Sequence, residues 1–376
     1  MITRRRFIQL GAAAGGALMA GDLLQACGGA GQQVKMGLLS ASGSQSSSAP
    51  EQRNAFQMAI DEINGQGGVS GRRIETATDG SAARLVQDGN VDVIIAQSAP
   101  AGSAAMQAVS GTLLMHAGSY DPSACPKNVI STGPVPNQQV EPMGRWLMKN
   151  VGHRVFVVGV KDAWSRASLQ VLRGLAPKGG ASLVAAWHLV PAGTSNFGPL
   201  LKQVAQVNPD VLWSLMSGDD AVRFAKQLAQ VDVKALITST GWNDVTAAAV
   251  PGLLVGALIS QPWLMNLNTP DSTKFVTSYQ RRFGKQPIAA LSEATYDAVH
   301  LYKAAVERAG TTTTDQVIKA LPQVQFSAPQ GTVRIDPATR VMVTNSLIGQ
   351  VTSQGAIEVH ERLGTIAPVL SACRTG

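Results

Sequence analysis

Short apolar runs alternate along this chain with segments whose apolar positions recur every three or four residues. The runs Val34–Leu39 and Val155–Val160 are typical of strands buried on both faces of a sheet, whereas Glu51–Asn64 has the period of an amphipathic helix. Strands that alternate with helices in this way form parallel sheets covered by helices on both faces. The pattern therefore predicts a doubly wound α/β fold, and 376 residues are enough for two such sheets.

The remaining predicted elements continue this alternation, and turn-forming residues separate them. The further predicted strands are Val91–Ala96, Leu113–His116, Val129–Ser131, Leu183–Val190, Val211–Met216 and Ala235–Thr238. The further predicted helices are Ser103–Ser110, Gln138–Asn150, Ala167–Leu175, Gly198–Val207 and Ala221–Gln230. Glycine or proline follows several helices, in Asn64–Gly68, Lys178–Gly180 and Asn208–Asp210, where the chain must leave the helical conformation.

Residues 1–27 carry three ordered features of an export signal. Thr3–Gln9 resembles a twin-arginine motif, and Leu10–Met19 is apolar but shorter than the ~20 residues that span a bilayer. Leu24–Cys27 resembles a lipobox, which implies cleavage before Cys27 and attachment of a lipid to its sulfur. The alternative is an uncleaved N-terminal anchor with a chance cysteine. We expect an exported protein held in the cell envelope by lipid.

Charge and cysteine content limit the partners of the mature chain. Loss of three arginines and one aspartate with the leader lowers the net charge from +7 to +5. No basic run with interleaved aromatics is present, so nucleic acid is not an expected partner, and membrane contact is expected through the lipid alone. Cys125 and Cys373 then remain, and an oxidising compartment allows either one disulfide or two free thiols.

Several motifs follow one another in the order of a known family. They are Val34–Gly43, Ala59–Arg72, Gly133–Gln139, Gly159–Arg166, Gly179–Leu189, Asn208–Val211, Gly218–Asp220, Ala294–Ala298 and Ala304–Gly310. Together they resemble the type I periplasmic binding proteins, especially the branched-chain amino acid, amide and urea group. The chain departs from the family pattern in a short Asp79–Val91 span, in Gln97 where glycine is usual, and in Asp162 where tyrosine is common.

The resemblance implies two α/β lobes joined by three crossovers, in the architecture known as a Venus flytrap. The implied first lobe holds residues 34–134 and 262–326, the second holds 135–261 and 327–365, and 366–376 form a C-terminal tail. Crossovers are expected near Gly133–Pro136, Gln261–Trp263 and Phe326–Gly331. Closure of the lobes on a small solute would create the form that an ABC permease recognises. We expect a monomer without a cofactor.

Candidate ligand residues follow the predicted strands, because ligands of open α/β sheets bind at the carboxyl ends of strands. Those of the first lobe are Ser98, Ser103, Ser119 and Tyr120, which could bind a carboxylate or carbonyl group together with backbone N–H groups. The alternative for such serines is a helix N-cap without a ligand.

On the second lobe the candidates are Asp162, Trp164, Asp219 and Trp242. The resemblance places Trp164, followed by Arg166, where relatives have an aromatic that closes over the ligand, although a packed tryptophan is the alternative. Asp219 and Asp220 could bind an ammonium or amide N–H group, or one of them could cap the next helix. Asn243 and Glu293 are weaker candidates.

Nothing in the sequence indicates catalysis. The histidines (His116, His153, His188, His300 and His360) lack metal-ligand spacing, and no nucleophile elbow, P-loop or dinucleotide fingerprint opens a helix. The residues therefore predict a binding protein and not an enzyme. Two rivals share the fold: a sensor that presents its ligand to a receptor, and an envelope protein that has lost ligand binding.

Overall fold

A computed structural model describes residues 33–41, 47–78, 81–87, 89–98, 105–106, 109, 111–120, 126–184 and 188–370. Its strands are β1 (Val34–Leu39), β2 (Ile74–Thr78), β3 (Val93–Ala96), β4 (Leu113–His116), β5 (Val129–Ser131), β6 (Arg154–Val160), β7 (Ser182–Leu183), β8 (His188–Val190), β9 (Val211–Ser214), β10 (Leu236–Ser239), β11 (Leu258–Gln261), β12 (Phe326–Ala328), β13 (Gly331–Ile335), β14 (Met342–Val351) and β15 (Ile357–Ile366). Its α-helices are α1 (Ala49–Gly65), α2 (Ala82–Gln87), α3 (Pro136–Asn150), α4 (Ala163–Leu175), α5 (Gly198–Val207), α6 (Gly218–Leu228), α7 (Asp244–Ala249), α8 (Pro270–Phe283), α9 (Ala290–Ala309) and α10 (Thr314–Ala320).

The first sheet contains five parallel strands in the order β2-β1-β3-β4-β5. Successive residues of β3 point to opposite faces, so Val93 and Ile95 pack in one core and Ile94 and Ala96 pack in another. Helices α1 and α9 cover the first of these faces. Burial on both faces explains why β1, β3 and β4 are continuous apolar runs in the sequence.

The second sheet is mixed. Its strands follow the order β12-β13-β14-β11-β10-β9-β6-β7, with β8 beside β6 and β15 beside β14. Strands β6, β9, β10 and β11 are parallel neighbours, but β14 pairs antiparallel with both β11 and β15. The predicted parallel α/β arrangement is confirmed for β6, β9, β10 and β11, and the sequence did not predict the antiparallel strands β14 and β15 that extend this sheet. The ten-residue strands β14 and β15 are absent from the sequence-based element list.

Side-chain amides hold the segments that connect the two sheets. The first connection leads from β5 into α3, where Gln138 donates from Nε2 to the carbonyl oxygens of Met342 and Ile366, both at 2.9 Å. Gln139 donates to the carbonyl of Asn345 at 3.2 Å. After β11 the chain returns to the core of the first sheet, where α9 and α10 pack, and it then enters the second sheet through β12 and β13. The start of α3 is thus bonded to the last strands of the chain.

Several predicted elements are confirmed to the residue, whereas helices α1, α3, α4 and α6 begin two to four residues earlier than predicted. Strands β1, β4 and β5 and helix α5 have the predicted bounds. Helix α4 begins at Ala163, not Ala167, because Asp162 caps it, and α6 begins at Gly218, not Ala221. The predicted strand Leu183–Val190 is described as two short strands, β7 and β8.

Some predictions fall outside the described residues. These concern Cys27, Cys125, Cys373, Ser103 and most of the predicted helix Ser103–Ser110. Within the described part of the chain, no helix combines the length and the apolar character needed to cross a membrane.

Candidate functional site

The carboxyl ends of the parallel strands carry polar residues in both sheets. In the first sheet, Gln97 and Ser98 follow β3, while His116 ends β4 and precedes Ser119 and Tyr120. In the second sheet the corresponding residues are Asp162 and Trp164 after β6, Asp219 and Asp220 after β9, and Trp242, Asn243 and Asp244 after β10. These edges are where open α/β sheets bind ligands.

His116 organises the edge of the first sheet. Its ring Nε2 lies 3.2 Å from the carbonyl oxygen of Ser98, and the ring centroid lies 5.4 Å from that of Tyr120. Burial lowers the pKa of His116 to about 4, so the imidazole is neutral at physiological pH. Ser98, His116 and Tyr120 are buried, and Ser119 is half-buried. The structure therefore brings two of the predicted residues, Ser98 and Tyr120, together around His116 in one uncharged polar wall.

Gln97 directly follows β3, and its backbone N–H donates to the carbonyl of Leu39 at 3.0 Å. It is fully buried, and neither its Oε1 nor its Nε2 atom has a hydrogen-bond partner among the described residues. A buried amide without partners is costly, at about 1–3 kcal/mol for each unsatisfied group. Sequence reasoning noted Gln97 only as a departure from the family pattern and left it out of the candidate site.

Asp162 has a structural role that the sequence did not assign to it. Its Oδ1 atom accepts a hydrogen bond from the backbone N–H of Ser165 at 2.7 Å, which makes it the N-cap of α4. Burial raises its pKa, and the negative charge of Asp220 adds to that rise. Trp164 follows in the first turn of α4 and is buried, whereas Arg166 is exposed.

Neither Asp219 nor Asp220 caps a helix, because α6 begins before them and its N-cap is Ser217. The carboxylate of Asp220 is fully buried and accepts hydrogen bonds from Arg223 and from the backbone N–H of Gly193 at 3.0 Å. Asp220 is thus bound within its own lobe. Asp219, half-buried in the first turn of α6, is the carboxylate of the pair that stays a ligand candidate.

The edge after β10 contains two predicted residues, Trp242 and the weaker candidate Asn243, and one residue, Asp244, that sequence reasoning missed. Trp242 is fully buried, its carbonyl accepts a hydrogen bond from Gln261 at 2.7 Å, and its indole N–H has no partner among the described residues. Asn243 caps α7 by accepting from the N–H of Thr246 at 3.0 Å. Asp244 follows it, and burial raises the pKa of its carboxyl group to about 7.

Glu51 and Gln52, in the first turn of α1, were also missed. Both are buried, and burial together with the charge of Asp244 raises the pKa of Glu51 to about 8. An acidic residue in a helix's first turn was a weak signal for Glu51, since such residues are common there for reasons of stability alone. Glu293, a weak candidate, lies elsewhere: it is fully buried and bonded to Gln330.

No group of three or more His, Cys, Asp or Glu side chains among the described residues is arranged to hold a metal ion. The polar groups at the two edges instead offer hydrogen bonds and carboxylates. Such a site can bind a small polar molecule. It shows no nucleophile and base in contact.

Comparison with known proteins also indicates a binding protein. A family model described as "Periplasmic binding protein" matches residues 33–356. The Leu/Ile/Val-binding protein BraC3 of Rhizobium johnstonii is 24% identical over 276 residues, which cover 69% of this chain and 74% of that protein.

Solved structures share the fold at low sequence identity. A solute-binding protein of an ABC transporter from Rhodopseudomonas palustris, in complex with 3,4-dihydroxybenzoic acid, is 21% identical with a TM-score of 0.80, and the match covers 89% of this chain and 97% of that one. The leucine-binding protein LivK of Thermotoga maritima is 20% identical with a TM-score of 0.77, and the match covers 88% and 99% of the two chains.

Proposed function

We propose, from the premise that this chain belongs to the periplasmic binding protein family, that it captures a small polar solute between its two lobes outside the cytoplasmic membrane and delivers it to an ABC importer. The observation that carries the proposal is the set of polar and aromatic residues at the carboxyl ends of the parallel strands in both sheets. Ser98 and Tyr120 are buried at the edge of the first sheet, and at the edge of the second Trp164 is buried and Asp219 is half-buried. Ser119, Asp162 and Trp242 complete the proposed contacts.

The proposed mechanism is closure about the crossovers. We place the lobes at residues 34–134 with 262–326 and at 135–261 with 327–365. The solute binds one edge first, and the second edge then folds over it, so that the closed form becomes the majority species. The Gln97 amide and the Trp242 indole N–H have no hydrogen-bond partner among the described residues, which supports a solute at these edges, because a solute would supply the missing hydrogen bonds.

The proposed solute class follows the sequence resemblance: a branched-chain amino acid, an amide or urea. The relatives' names and complexes include leucine, isoleucine, valine and an aromatic acid. The uncharged wall around His116 and Tyr120 suits a solute with a carbonyl or carboxyl group that backbone N–H donors would bind.

We further propose that the protein reaches the cell envelope through its first 27 residues and that Cys27 bears the lipid. Mass spectrometry of the membrane fraction tests this directly. The expected product lacks residues 1–26 and carries the mass of a diacylglycerol on Cys27, and a Cys27→Ser variant loses that mass. The same spectra, recorded with and without reductant, show whether Cys125 and Cys373 are joined.

A thermal-shift screen of the chain from Gly28 onward tests the proposed function. The panel contains amino acids, simple amides, urea and small aromatic and aliphatic carboxylates. A solute at 100 times its dissociation constant adds about 2.7 kcal/mol to the free energy of unfolding, which raises the melting temperature visibly. The absence of any shift across the panel would contradict solute capture and favour the rival that has lost its ligand.

A further inference from the structure

A chain of side-chain hydrogen bonds connects the three proposed crossovers. Gln139, just after the first crossover, donates from Nε2 to the carbonyl of Asn345 in β14 at 3.2 Å. Its Oε1 atom accepts from the hydroxyl of Ser260, just before the second crossover, at 3.1 Å. Asn345 also reaches the third crossover, where its backbone N–H donates to Oε1 of Gln330 at 3.3 Å and its Nδ2 atom donates to the carbonyl of the same residue. The three crossovers are therefore bonded to one another.

Two carboxyl groups of α9 lie at the end of this chain. Glu293 and Asp297 are about one helical turn apart, and both are fully buried. The Nε2 atom of Gln330 donates to Oε2 of Glu293 at 3.0 Å and to Oδ2 of Asp297 at 3.3 Å, so both carboxyl groups converge on one amide. Because the same amide accepts from Asn345, it connects α9 in the core of the first sheet with β14 in the second sheet.

No cation balances this pair of carboxyl groups in the described part of the chain. Strands β3 and β12, which pack against α9, contain no titratable side chain. The titratable groups on the other elements around the pair form neither a hydrogen bond nor an ion pair with it among the described residues: Glu51, Arg53, Asp61 and Glu62 of α1, Asp315 and Lys319 of α10, and Arg334 of β13. The pair therefore depends on hydrogen bonds alone, and a buried carboxylate without a cation is unfavourable.

Burial determines the protonation of this pair. It raises the pKa of Glu293 to about 7, and burial together with the negative charge of Glu293 raises the pKa of Asp297 well above its usual range. The hydrogen bonds from Gln330 lower both pKa values, but their effect is smaller than that of burial. An arrangement in which Gln330 has moved and water reaches the carboxyl groups therefore has lower pKa values. Rising pH favours that arrangement over the one seen here.

Strand β14 is irregular where this chain crosses it. Thr344 and Ser346, on either side of Asn345, are buried, and their hydroxyl oxygens have no hydrogen-bond partner among the described residues. The pairing of β14 with β15 also shifts register directly after Ser346. Since a buried hydroxyl without a partner is unfavourable, other contacts must hold this part of β14 in place. The hydrogen bonds of Asn345 to Gln330 and Gln139 are such contacts.

We propose that Glu293 and Asp297 form a proton-dependent latch on the hinge between the lobes. While the pair keeps its protons, it holds Gln330 in the arrangement seen here, and the bonds through Asn345 and Gln139 hold the other two crossovers with it. Loss of the protons at higher pH adds negative charge that no cation balances. Gln330 then moves, and the crossovers are released together. The inference rests on the proposed closure of the lobes and adds a regulation of that closure by pH.

Small-angle X-ray scattering of the full chain without solute, between about pH 6 and about pH 9, tests the inference. At the lower pH the scattering curve should match the curve calculated from this structure, and the radius of gyration should change as the pH rises through about 7 and above. Asp297→Asn should keep the low-pH radius throughout, because its amide N–H₂ group is a donor that cannot be lost. Asn345→Ala keeps the acidic pair but cuts the chain, so its urea midpoint should still depend on pH while its radius does not.

Glu307→Gln is the matched control, since Glu307 lies on the same helix in an ion pair with Lys303 at the surface and should leave the pH response of the parent unchanged. Two results overturn the inference: a radius of gyration in the parent that stays constant over this pH range, or a response in Asp297→Asn equal to that of the parent. Either result leaves solute capture intact if the thermal-shift panel yields a solute. A parent radius that responds to pH, together with a panel that yields no solute, would support the latch and remove the proposed function.

Discussion

Gln330 is held by both carboxyl oxygens of Glu293. Its backbone N–H donates to Oε1 at 3.1 Å and its side-chain Nε2 donates to Oε2 at 3.0 Å. Asp297, one turn along α9, accepts from the same Nε2 at 3.3 Å. Burial raises the pKa values of both acids, that of Glu293 to about 7, so the pair retains a proton at neutral pH. Helix α9 thus fixes the turn between β12 and β13.

Glu293→Ala should destabilise the protein, because it leaves the two N–H groups of Gln330 buried without acceptors. We expect the free energy of unfolding to fall by about 1–3 kcal/mol in urea titrations. The control is Glu307→Ala on the same helix, where the carboxylate pairs with Lys303 at the surface. The free energy of unfolding of that variant should stay within about 0.5 kcal/mol of the parent value. Equal losses in the two variants would contradict a specific role for the Gln330 contact.

Stability should fall as pH rises from about 5 to about 8. Glu51, Asp244 and Glu293 have raised pKa values in the folded state, so the folded protein binds more protons than the unfolded chain across this window. Their stabilising contribution is complete below the unfolded pKa values near 4 and is lost as pH passes about 7 to 8. Urea midpoints measured at half-unit intervals check the trend, and Glu51→Gln should flatten it. A midpoint that rises over this window would contradict the raised pKa values of these three carboxyl groups.

Ser98→Ala combined with Trp164→Ala should weaken solute binding by about tenfold or more, as measured by calorimetry with a solute from the screen. Trp164 is buried, so the double variant should also lose about 3–5 kcal/mol of stability. Trp146→Ala is the comparison, because Trp146 contacts His360 on the far side of α3 from the strand edges. It should lower the melting temperature without changing affinity. Unchanged affinity in the double variant would place the site elsewhere.

Gly133→Ala should disturb the first crossover. A methyl group there would overlap the backbone carbonyl of Gly118, in the segment after β4 that leads to Ser119 and Tyr120. We expect a loss of about 1–3 kcal/mol from the forced backbone shift and a weaker affinity for the solute. Gly174→Ala in α4 is the control, since its added methyl group meets nothing within 4 Å. This substitution should raise the free energy of unfolding by about 0.4–1 kcal/mol. Unchanged stability and affinity in Gly133→Ala would show that the backbones at Gly133 and Gly118 can move apart without cost.

Gln138→Glu should loosen the first crossover from the end of the chain. The variant keeps an oxygen for the N–H of Val135 but loses the two donors to Met342 and Ile366, and it places a carboxylate beside both carbonyls. The expected cost is about 1–3 kcal/mol, with faster hydrogen exchange in β15. Gln170→Glu, on the exposed face of α4, should change neither quantity. Unaltered hydrogen exchange in β15 would contradict a stabilising role for the hydrogen bonds of Gln138 to Met342 and Ile366.

Local sequence patterns predicted the elements whose limits are set by neighbouring residues. Helix α5 ends at Asn208, which adopts a left-handed conformation, and β1 is bounded by polar residues, so both were predicted to the residue. The predicted start of helix α4 is four residues late because Asp162 was assigned to a ligand loop by resemblance, although Asp is itself a favoured N-cap residue. Strands β14 and β15 were missed, and β15 is half-exposed along its length, so its apolar run is broken.

The sequence predicted only those candidate site residues that follow the ends of strands. Ser98 and Tyr120 lie where parallel strands terminate, and that position can be inferred from one strand alone. The contact of Gln330 with Glu293 joins residues that are distant in the chain and depends on how α9 packs against the turn between β12 and β13. No local pattern contains that information, and a single sequence without relatives offers no covariation to supply it.

The first core has a consequence for the order in which the chain can fold during synthesis. Its apolar residues come from Val34 to Ile130 and again from Ala294 to Met342. A ribosome that adds about 5–20 residues per second needs roughly 8–33 seconds to cover the intervening stretch of about 160 residues. Throughout that delay α1 is present but α9, the second helix that covers this face of the sheet, is not. The apolar face therefore stays exposed for longer than in a chain whose lobes are each made from one continuous segment. A chaperone that binds this face must remain bound until α9 emerges.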